Sequence, residues 1–398
     1  MTPAARVSAA IEILDVWLEG TALEQAFLRW ARNSRYAGSK DRAAIRDHIF
    51  TAARRKLSDA ALGGALSEDE ITGRQLMIGQ SRRLGLDLDL LLSGLRFAPE
   101  ELTDTERHLC EAPTAMGDAA WPAPHWQYDI PAEIWPSWTS QVVDPSGQAA
   151  QNQDRAPITL RVNQRRLSRD AALDSLTAQG LEVIAHPDVP TAILVTKGNP
   201  SQCPAYLDGS VEIQDAHSQQ LIHALPQLPV AGDVLDYCAG GGGKALSAYA
   251  HWGRKVLCHD IDPKRMRDIP MRAQRAQADV WAVESVHAKD RFACVLVDAP
   301  CSGSGSWRRA PDGKWALSQS KLDAYCQMQR DILAQAAAHV EVGGWLYYTT
   351  CSVLRCENQD QAEWFTQSYP KFEAIQTVDL KMNSTSDGLF GNLFVRTG

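Results

Sequence analysis

The sequence predicts a multidomain protein whose C-terminal part is an α/β fold on a mostly parallel sheet, preceded by a small α+β unit and an all-helical N-terminal domain. Three observations carry this. From residue 226 onward, short apolar runs alternate with helical stretches, the pattern of a parallel sheet with crossover helices. A glycine-rich turn joins the first run to the helix after it, and acids and thiols sit where several runs end. Such sheets bind ligands at the carboxyl ends of their strands.

A chain of 398 residues has room for two or three domains. With 44% hydrophobic and 22% charged residues it is neither collagen-like, nor mostly disordered, nor a small disulfide scaffold. No run approaches the ~18 apolar residues that a bilayer span needs. Glu12 and Asp15 interrupt the first apolar stretch, so no signal peptide is read and a cytoplasmic protein without a membrane partner is expected. The balance of 40 basic against 48 acidic residues gives a net charge of −8, leaving any polyanion contact to local patches. The nine cysteines are scattered, with no C-x-x-C pair and no zinc spacing, so no metal centre is expected. In a reducing compartment most of them should be buried small hydrophobes.

Residues 1–105 read as helical: Ile11, Leu14 and Leu18 recur at helical spacing, as do Leu23, Phe27 and Trp30. A basic block over 29–56 fits either a solvated helix face or an RNA-facing patch. Residues 106–154 read as a connector, because Pro122, Pro124, Pro131 and Pro136 forbid long helices and 143–154 is polar and loop-like. Its tryptophans Trp121, Trp126, Trp135 and Trp138 suit packing between domains better than base stacking.

Residues 155–225 form the small mixed unit. Ile158, Leu160 and Val162 alternate with Thr159, Arg161 and Asn163 as a strand with one buried face, and Ser168 caps a helix ending near Gly180. Further strands are expected at 192–196 and 211–214. Arg161, Arg165 and Arg166 crowd the start of this unit and suit phosphate contact.

Residues 226–398 carry the parallel sheet, with strands expected at 234–237, 256–260, 281–283, 293–298 and 345–350 and a helix over 322–340. The segment Asp236-Tyr-Cys238-Ala239-Gly240-Gly241-Gly242-Gly243-Lys244 leaves a strand and enters a helix. It fails the P-loop pattern twice, at Cys238 and at Ala245. It satisfies a dinucleotide fingerprint through Gly240, Gly242 and Ala245, with Asp260 at ribose distance. It equally suits S-adenosylmethionine, with Asp236 meeting the ammonium group and Asp260 the ribose hydroxyls. The loop alone decides between neither. Lys244 is either an electrostatic contributor or an exposed structural lysine.

Two later segments are harder to explain as packing. Asp298-Ala-Pro-Cys301-Ser-Gly and Thr350-Cys351-Ser352 each place a thiol in a polar turn after a buried strand, one of them beside an acid. Together with the Cys238–Lys244 loop, they resemble three motifs of the RsmB/Sun (Fmu) family of RNA cytosine-5 methyltransferases. Val211-Glu-Ile-Gln-Asp215 and Asp387-Gly-Leu-Phe390 resemble further family segments. The N-terminal helices, with Gly38-Ser-Lys-Asp-Arg42, resemble the NusB-like domain of that branch. One departure is Gly240-Gly241, where the family usually shows Ala-Pro.

The resemblance implies a Rossmann-like class I methyltransferase domain. It implies S-adenosylmethionine held by residues 238–244, Asp260, Asp298 and, in the third turn, Glu284. It also implies a monomer acting on RNA, with 16S ribosomal RNA the expected substrate. Cys351 would be the nucleophile, Cys301 would assist product release, and Asp298 would hydrogen-bond the base. The chemistry fits, since carbon 5 of cytosine must be activated by a thiolate adding to carbon 6, and a second base must then remove the carbon-5 proton. Two other classes remain open: an RNA-binding assembly factor without catalysis, and an NAD-dependent oxidoreductase, which leaves the paired thiols unexplained.

Overall fold

A computed structural model describes residues 1–114 and 121–398. The chain divides into a helical unit, made of Met1–Thr139, Asp144–Arg155 and Trp307–Ser318, and a sheet unit holding the remainder.

In the helical unit, Thr2 caps the helix Pro3–Leu18 by accepting from the Ala5 amide, and a Thr72–Gln75 capping box starts Gly73–Arg83. The first helix buries Val7, Ala10, Ile13, Leu14 and Trp17, so its core stripe is rotated slightly from the Ile11–Leu14–Leu18 line. Ile11 and Leu18 lie only part-buried at its margin. Leu23, Phe27, Trp30, Ile45, Ile49, Leu76 and Ile78 complete this core. The described part of the connector is mostly helical rather than loop-like. Pro124, at the start of Pro124–Tyr128, and Pro145, at the start of Pro145–Gln153, occupy first helical turns, where a missing N–H costs nothing. Trp126 and Trp138 are buried inside this unit, and residues 115–120 of the expected connector lie outside the described residues.

Residues 307–318, sequence neighbours of the Cys301 turn, also belong to the helical unit. Lys314 donates to the Arg54 carbonyl (2.9 Å), Trp315 to that of Ala53 (2.6 Å), and Arg54 to that of Arg308 (2.6 Å). Asp312 accepts from the Trp17 indole and the Leu23 amide. The basic block is accordingly divided. Arg29, Arg32, Arg35, Lys40 and Arg46 are exposed, Arg54 is buried, and Lys56 lies against the rings of Trp17 and Trp315.

The sheet unit begins with four antiparallel strands, β1 (Ile158–Val162), β2 (Glu182–Ala185), β3 (Ala192–Lys197) and β4 (Val211–Ile213), in the order β2-β3-β1-β4. Ser168 caps the helix Arg169–Ala178 as expected. β2 is not among the expected strands; it pairs with β3 at the edge of the sheet. β1 departs from the one-faced strand expected of it: Thr159 and Arg161 are as buried as Leu160 and Val162.

The second sheet runs β10-β11-β9-β8-β5-β6-β7. β5 (Val234–Asp236), β6 (Val256–Cys258), β7 (Val280–Ala282), β8 (Phe292–Asp298) and β9 (Val340–Thr350) are parallel to one another. An unexpected hairpin, β10 (Phe372–Leu380) and β11 (Leu389–Arg396), adds antiparallel strands at one edge. β8 shows why such strands read as unbroken apolar runs. Cys294 and Leu296 pack on one face of the sheet, Val295 and Val297 on the other. The chain moves outward from β5 to β6 and β7, then returns to β8 and β9 on the other side. The carboxyl ends of β5 and β8 therefore flank the switch point where such folds bind ligands. The segments resembling family motifs at 211–215 and 387–390 turn out to be fasteners. Asp215 caps the helix Ala216–His223 and accepts from the Asp387 amide (3.1 Å), while His217 Nδ1 meets the Asp387 carbonyl (2.6 Å).

Candidate active site

The glycine loop needs glycine at two positions. Gly240 (φ +49°) and Gly242 (φ +77°) have left-handed backbones, and a Cβ on Gly242 would lie 2.9 Å from Ile269. Gly242 is the N-cap of the helix Gly243–Trp252, so the amides of the following turn are free to face a ligand. The Gly240-Gly241 departure is thus a working feature, because Gly240 adopts a conformation that alanine tolerates poorly. Arg272 donates to the Gly241 carbonyl, and Arg265 lies beside Gly240. Neither arginine carries a sequence signal that sets it apart from an ordinary helix cation.

Three acids line the strand ends around this loop. Asp260, nearly fully buried past the end of β6, accepts from the Gly240 amide (2.9 Å) and the Asp262 amide (3.0 Å) and pairs with Arg265 (3.1 Å). Asp236, the last residue of β5, is 1% exposed, and the Ala245 amide approaches its carboxylate without completing a well-formed hydrogen bond. Burial first, then the charges of Asp298 and Asp260, push its carboxyl up to about 7 against a weaker pull from Lys244 and the Ala245 amide. An uncompensated buried carboxylate beside a Cβ-free loop is what a ligand bearing an ammonium group would satisfy. Asp298 ends β8 and is more accessible. It pairs with Lys244 Nζ (2.8 Å) and accepts from the Thr349 hydroxyl (3.2 Å). Lys244 is therefore neither exposed nor idle. Burial works to lower its pKa, but the Asp298 charge prevails and the ammonium is held protonated. Glu284 follows β7 on an exposed bend at the same edge of the sheet.

The thiols that the sequence separates by 50 residues meet here: Cys301 Sγ and Cys351 Sγ are 3.5 Å apart. The pair is asymmetric. The hydrogen bond between them lowers the Cys351 thiol, with help from Ser306 and Lys244, against burial and the Asp298 charge. The same hydrogen bond, then burial, raises Cys301. The pair therefore favours the proton on Cys301 and the more acidic thiol at Cys351. Cys238, Cys258 and Cys294 are pushed up by burial and remain neutral. Cys258 and Cys294 belong to the core. Cys238 touches the site as a protonated thiol.

The arginines expected to meet RNA are placed differently. Arg161 is buried and donates to Gln214 Oε1 (2.6 Å) and the Gly243 carbonyl (3.0 Å). Arg165 donates to the Tyr249 and Ala250 carbonyls in the last turn of Gly243–Trp252 (3.1 and 3.2 Å). Arg166 donates to the Arg275 carbonyl in the last turn of Ile269–Ala276 (3.1 Å) and to that of Asp208. Unpaired carbonyls at a helix C-terminus attract cations for the same electrostatic reason that phosphates do. Arg161, by contrast, is buried with its guanidinium engaged inside the protein, which takes it out of reach of RNA. Arg161→Ala is expected to destabilise the full chain by roughly 2–4 kcal/mol, since it strips partners from buried acceptors. Urea unfolding of the purified protein measures this, and an unchanged midpoint would contradict it.

Residues 228–390 match the family profile described as 16S rRNA methyltransferase RsmB/F, and residues 123–202 match that of the RsmF/B-like ferredoxin-like domain. Both stretches carry domains of the RsmB/F family. The ferredoxin-like match starts within the expected connector and crosses the boundary drawn at 154, so part of that connector is shared family sequence. Neither stretch includes the first helices, whose NusB likeness rests on the Gly38–Arg42 segment. A relative from Klebsiella pneumoniae, ribosomal RNA small subunit methyltransferase B, is 34% identical over 264 residues. That stretch covers 64% of this chain and 59% of the relative. Among solved structures, PH0851 superimposes with a TM-score of 0.74 at 19% identity, covering 100% of this chain and 99% of its own. A methyltransferase homolog protein from Pyrococcus horikoshii gives a TM-score of 0.58 at 19% identity, covering 68% and 97%. These two structures share the fold.

Proposed function

We propose that the protein transfers a methyl group from S-adenosylmethionine to carbon 5 of a cytosine in RNA, with 16S ribosomal RNA as substrate, through a covalent adduct on Cys351. The observation that carries this reading is the asymmetric thiol pair, 3.5 Å apart, beside the Lys244–Asp298 ion pair. The residues present suit the cofactor. Asp236 offers an unsatisfied carboxylate to its ammonium group, Asp260 lies where ribose hydroxyls are bound in such sheets, and the glycine loop admits close approach. Cys238 lines the same strand end, as does Glu284 beyond β7. Bound there, the cofactor supplies an electrophilic methyl group on a sulfonium.

The chain's own residues account for the remaining steps. The Cys351 thiolate adds to carbon 6, forming the C–S bond and pushing the ring electrons toward carbon 5, which takes the methyl group. Asp298 meets the nitrogen edge of the base, while Lys244 sets a positive charge beside the ring as its electron density rises. Consuming the Cys351 charge removes one of the influences that keep Cys301 protonated. Once it has lost its proton to solvent, Cys301 takes the carbon-5 proton. The C5–H electrons then restore the ring double bond, and Cys351 leaves as thiolate.

Base-resolution mapping of 5-methylcytosine in ribosomal RNA, from cells with and without the protein, tests the reading. One cytosine in 16S RNA should lose its methyl group when the protein is absent and regain it when purified protein and cofactor are added. An unchanged map would refute it.

A further inference from the structure

One carboxylate holds together the two turns that carry the thiols. Glu357 follows β9 and is fully buried. Its Oε1 accepts from the Ser302 amide (2.8 Å) and Gln329 Nε2 (3.1 Å). Its Oε2 accepts from the hydroxyls of Ser302 and Ser352, each at 2.5 Å. Ser302 and Ser352 are the residues immediately after Cys301 and Cys351. Around this centre, Ser304 Oγ lies 2.9 Å from Ser352 Oγ, and the Gly305 amide donates to the Cys351 carbonyl (2.9 Å). Gln329 also donates to the Pro300 carbonyl (3.0 Å), so the same glutamine braces the turn just ahead of Cys301.

We propose that Glu357 is a positioning residue that sets the spacing of the thiol pair by clamping Ser302 and Ser352 on a single carboxylate. This deepens the proposed mechanism and rests on its reading of Cys351 as the nucleophile. The turns after β8 and β9 are irregular backbone, and regular sheet pairing ends at Asp298 and Thr349. Beyond that register two backbone hydrogen bonds, Ala299 to Thr349 and Gly305 to Cys351, join the turns, and side-chain hydrogen bonds centred on Glu357 complete the fixing of the Sγ–Sγ distance. Short charge-assisted O–H···O⁻ bonds are the strong kind, and two of them converge on one oxygen here. The position of the charge matters as well. The Glu357 carboxylate is among the groups that raise the Cys301 thiol, while Lys244 helps lower Cys351, so both favour the proton on Cys301.

The test is the pH dependence of iodoacetamide alkylation at Cys351, followed by peptide mass spectrometry on the full chain without RNA. Glu357→Gln removes the charge and turns one acceptor into a donor. The Cys351 titration should move to higher pH, slowing alkylation at neutral pH about tenfold for each unit moved. In methyl transfer, kcat should fall roughly 10- to 100-fold, as misplaced reacting groups do, with little change in KM for RNA. Tyr348→Phe removes only a hydrogen bond to the Glu357 backbone carbonyl (2.6 Å) and should leave the titration in place. A folded Glu357→Gln protein with a wild-type Cys351 profile overturns the proposal. If that variant does not fold, Ser352→Ala must show the upward move, and a wild-type profile there overturns it equally. A shifted profile alongside methyl transfer that survives Cys351→Ala would leave the clamp standing and refute the nucleophile assignment instead.

Discussion

Cys351→Ala should abolish methyl transfer and form no covalent RNA complex, whereas Cys301→Ala should accumulate a complex that survives denaturation. The two thiols lie 3.5 Å apart, and burial and the neighbouring charges favour the proton on Cys301. Without Cys351 nothing adds to carbon 6, and the ring stays too poor a nucleophile to take a methyl group. Without Cys301 the attack still proceeds, although Cys351 loses its hydrogen-bond donor and adds more slowly. The methylated adduct then keeps its carbon-5 proton and cannot expel the enzyme. The double variant should show no adduct. Gel analysis with labelled RNA and S-adenosylmethionine separates the outcomes. An adduct found in Cys351→Ala and missing from Cys301→Ala would reverse the roles. Activity in both single variants would mean that either thiol can attack.

Asp236→Asn should stabilise the ligand-free protein and weaken its hold on the cofactor. The Asp236 carboxyl is raised from its ordinary value to about 7 by burial. A group raised on folding contributes stability that is complete below its unfolded pKa and is lost as pH climbs through the folded one. Unfolding free energy should therefore fall between about pH 4 and 7 on account of this residue, by an amount approaching 4 kcal/mol. Asparagine cannot ionise, so the difference between variant and wild type should widen across that interval and favour the variant at pH 8. The amide remains buried with poor partners and recovers only part of the penalty. Cofactor binding should lose about 1.5–3 kcal/mol, as expected when a hydrogen bond to a charged group is removed. Thermal unfolding from pH 4 to 8, with calorimetric titration of the cofactor, measures both effects. A variant no more stable than wild type at pH 8, with unaltered cofactor affinity, would remove Asp236 from the site. A gain in stability bought by a loss of binding is the usual sign of a group kept for its ligand.

Local features of the sequence placed much of this site. Glycines at 240 and 242 answer a backbone requirement confined to their own turn. Thiols and acids just past apolar runs must lie at one edge of a parallel sheet, because every such strand points the same way. Five of the seven strands in that sheet were legible for the same reason, being apolar on both faces. The hairpin at Phe372–Leu380 and Leu389–Arg396 was not: its first strand presents mostly exposed residues and is fixed by pairing with its neighbour.

The sequence by itself determined which chemical groups stand at which strand ends. Tertiary structure alone decided which of them meet, which are buried and which carry charge. The 3.5 Å thiol contact and the Lys244–Asp298 pair each join segments far apart in the chain, and Asp236 is buried by what packs around it. Arg161, Arg165 and Arg166 show the converse. A basic cluster reads the same whether its partners are phosphates or helix carbonyls, and only the packing of Gly243–Trp252 and Ile269–Ala276 beside it selects the carbonyls. Residues 307–318 continue directly from the Cys301 turn, yet their hydrogen bonds place them in the helical unit. Periodicity and turn chemistry are properties of a few consecutive residues. Burial, charge pairing and proton position depend on what arrives from elsewhere in the chain.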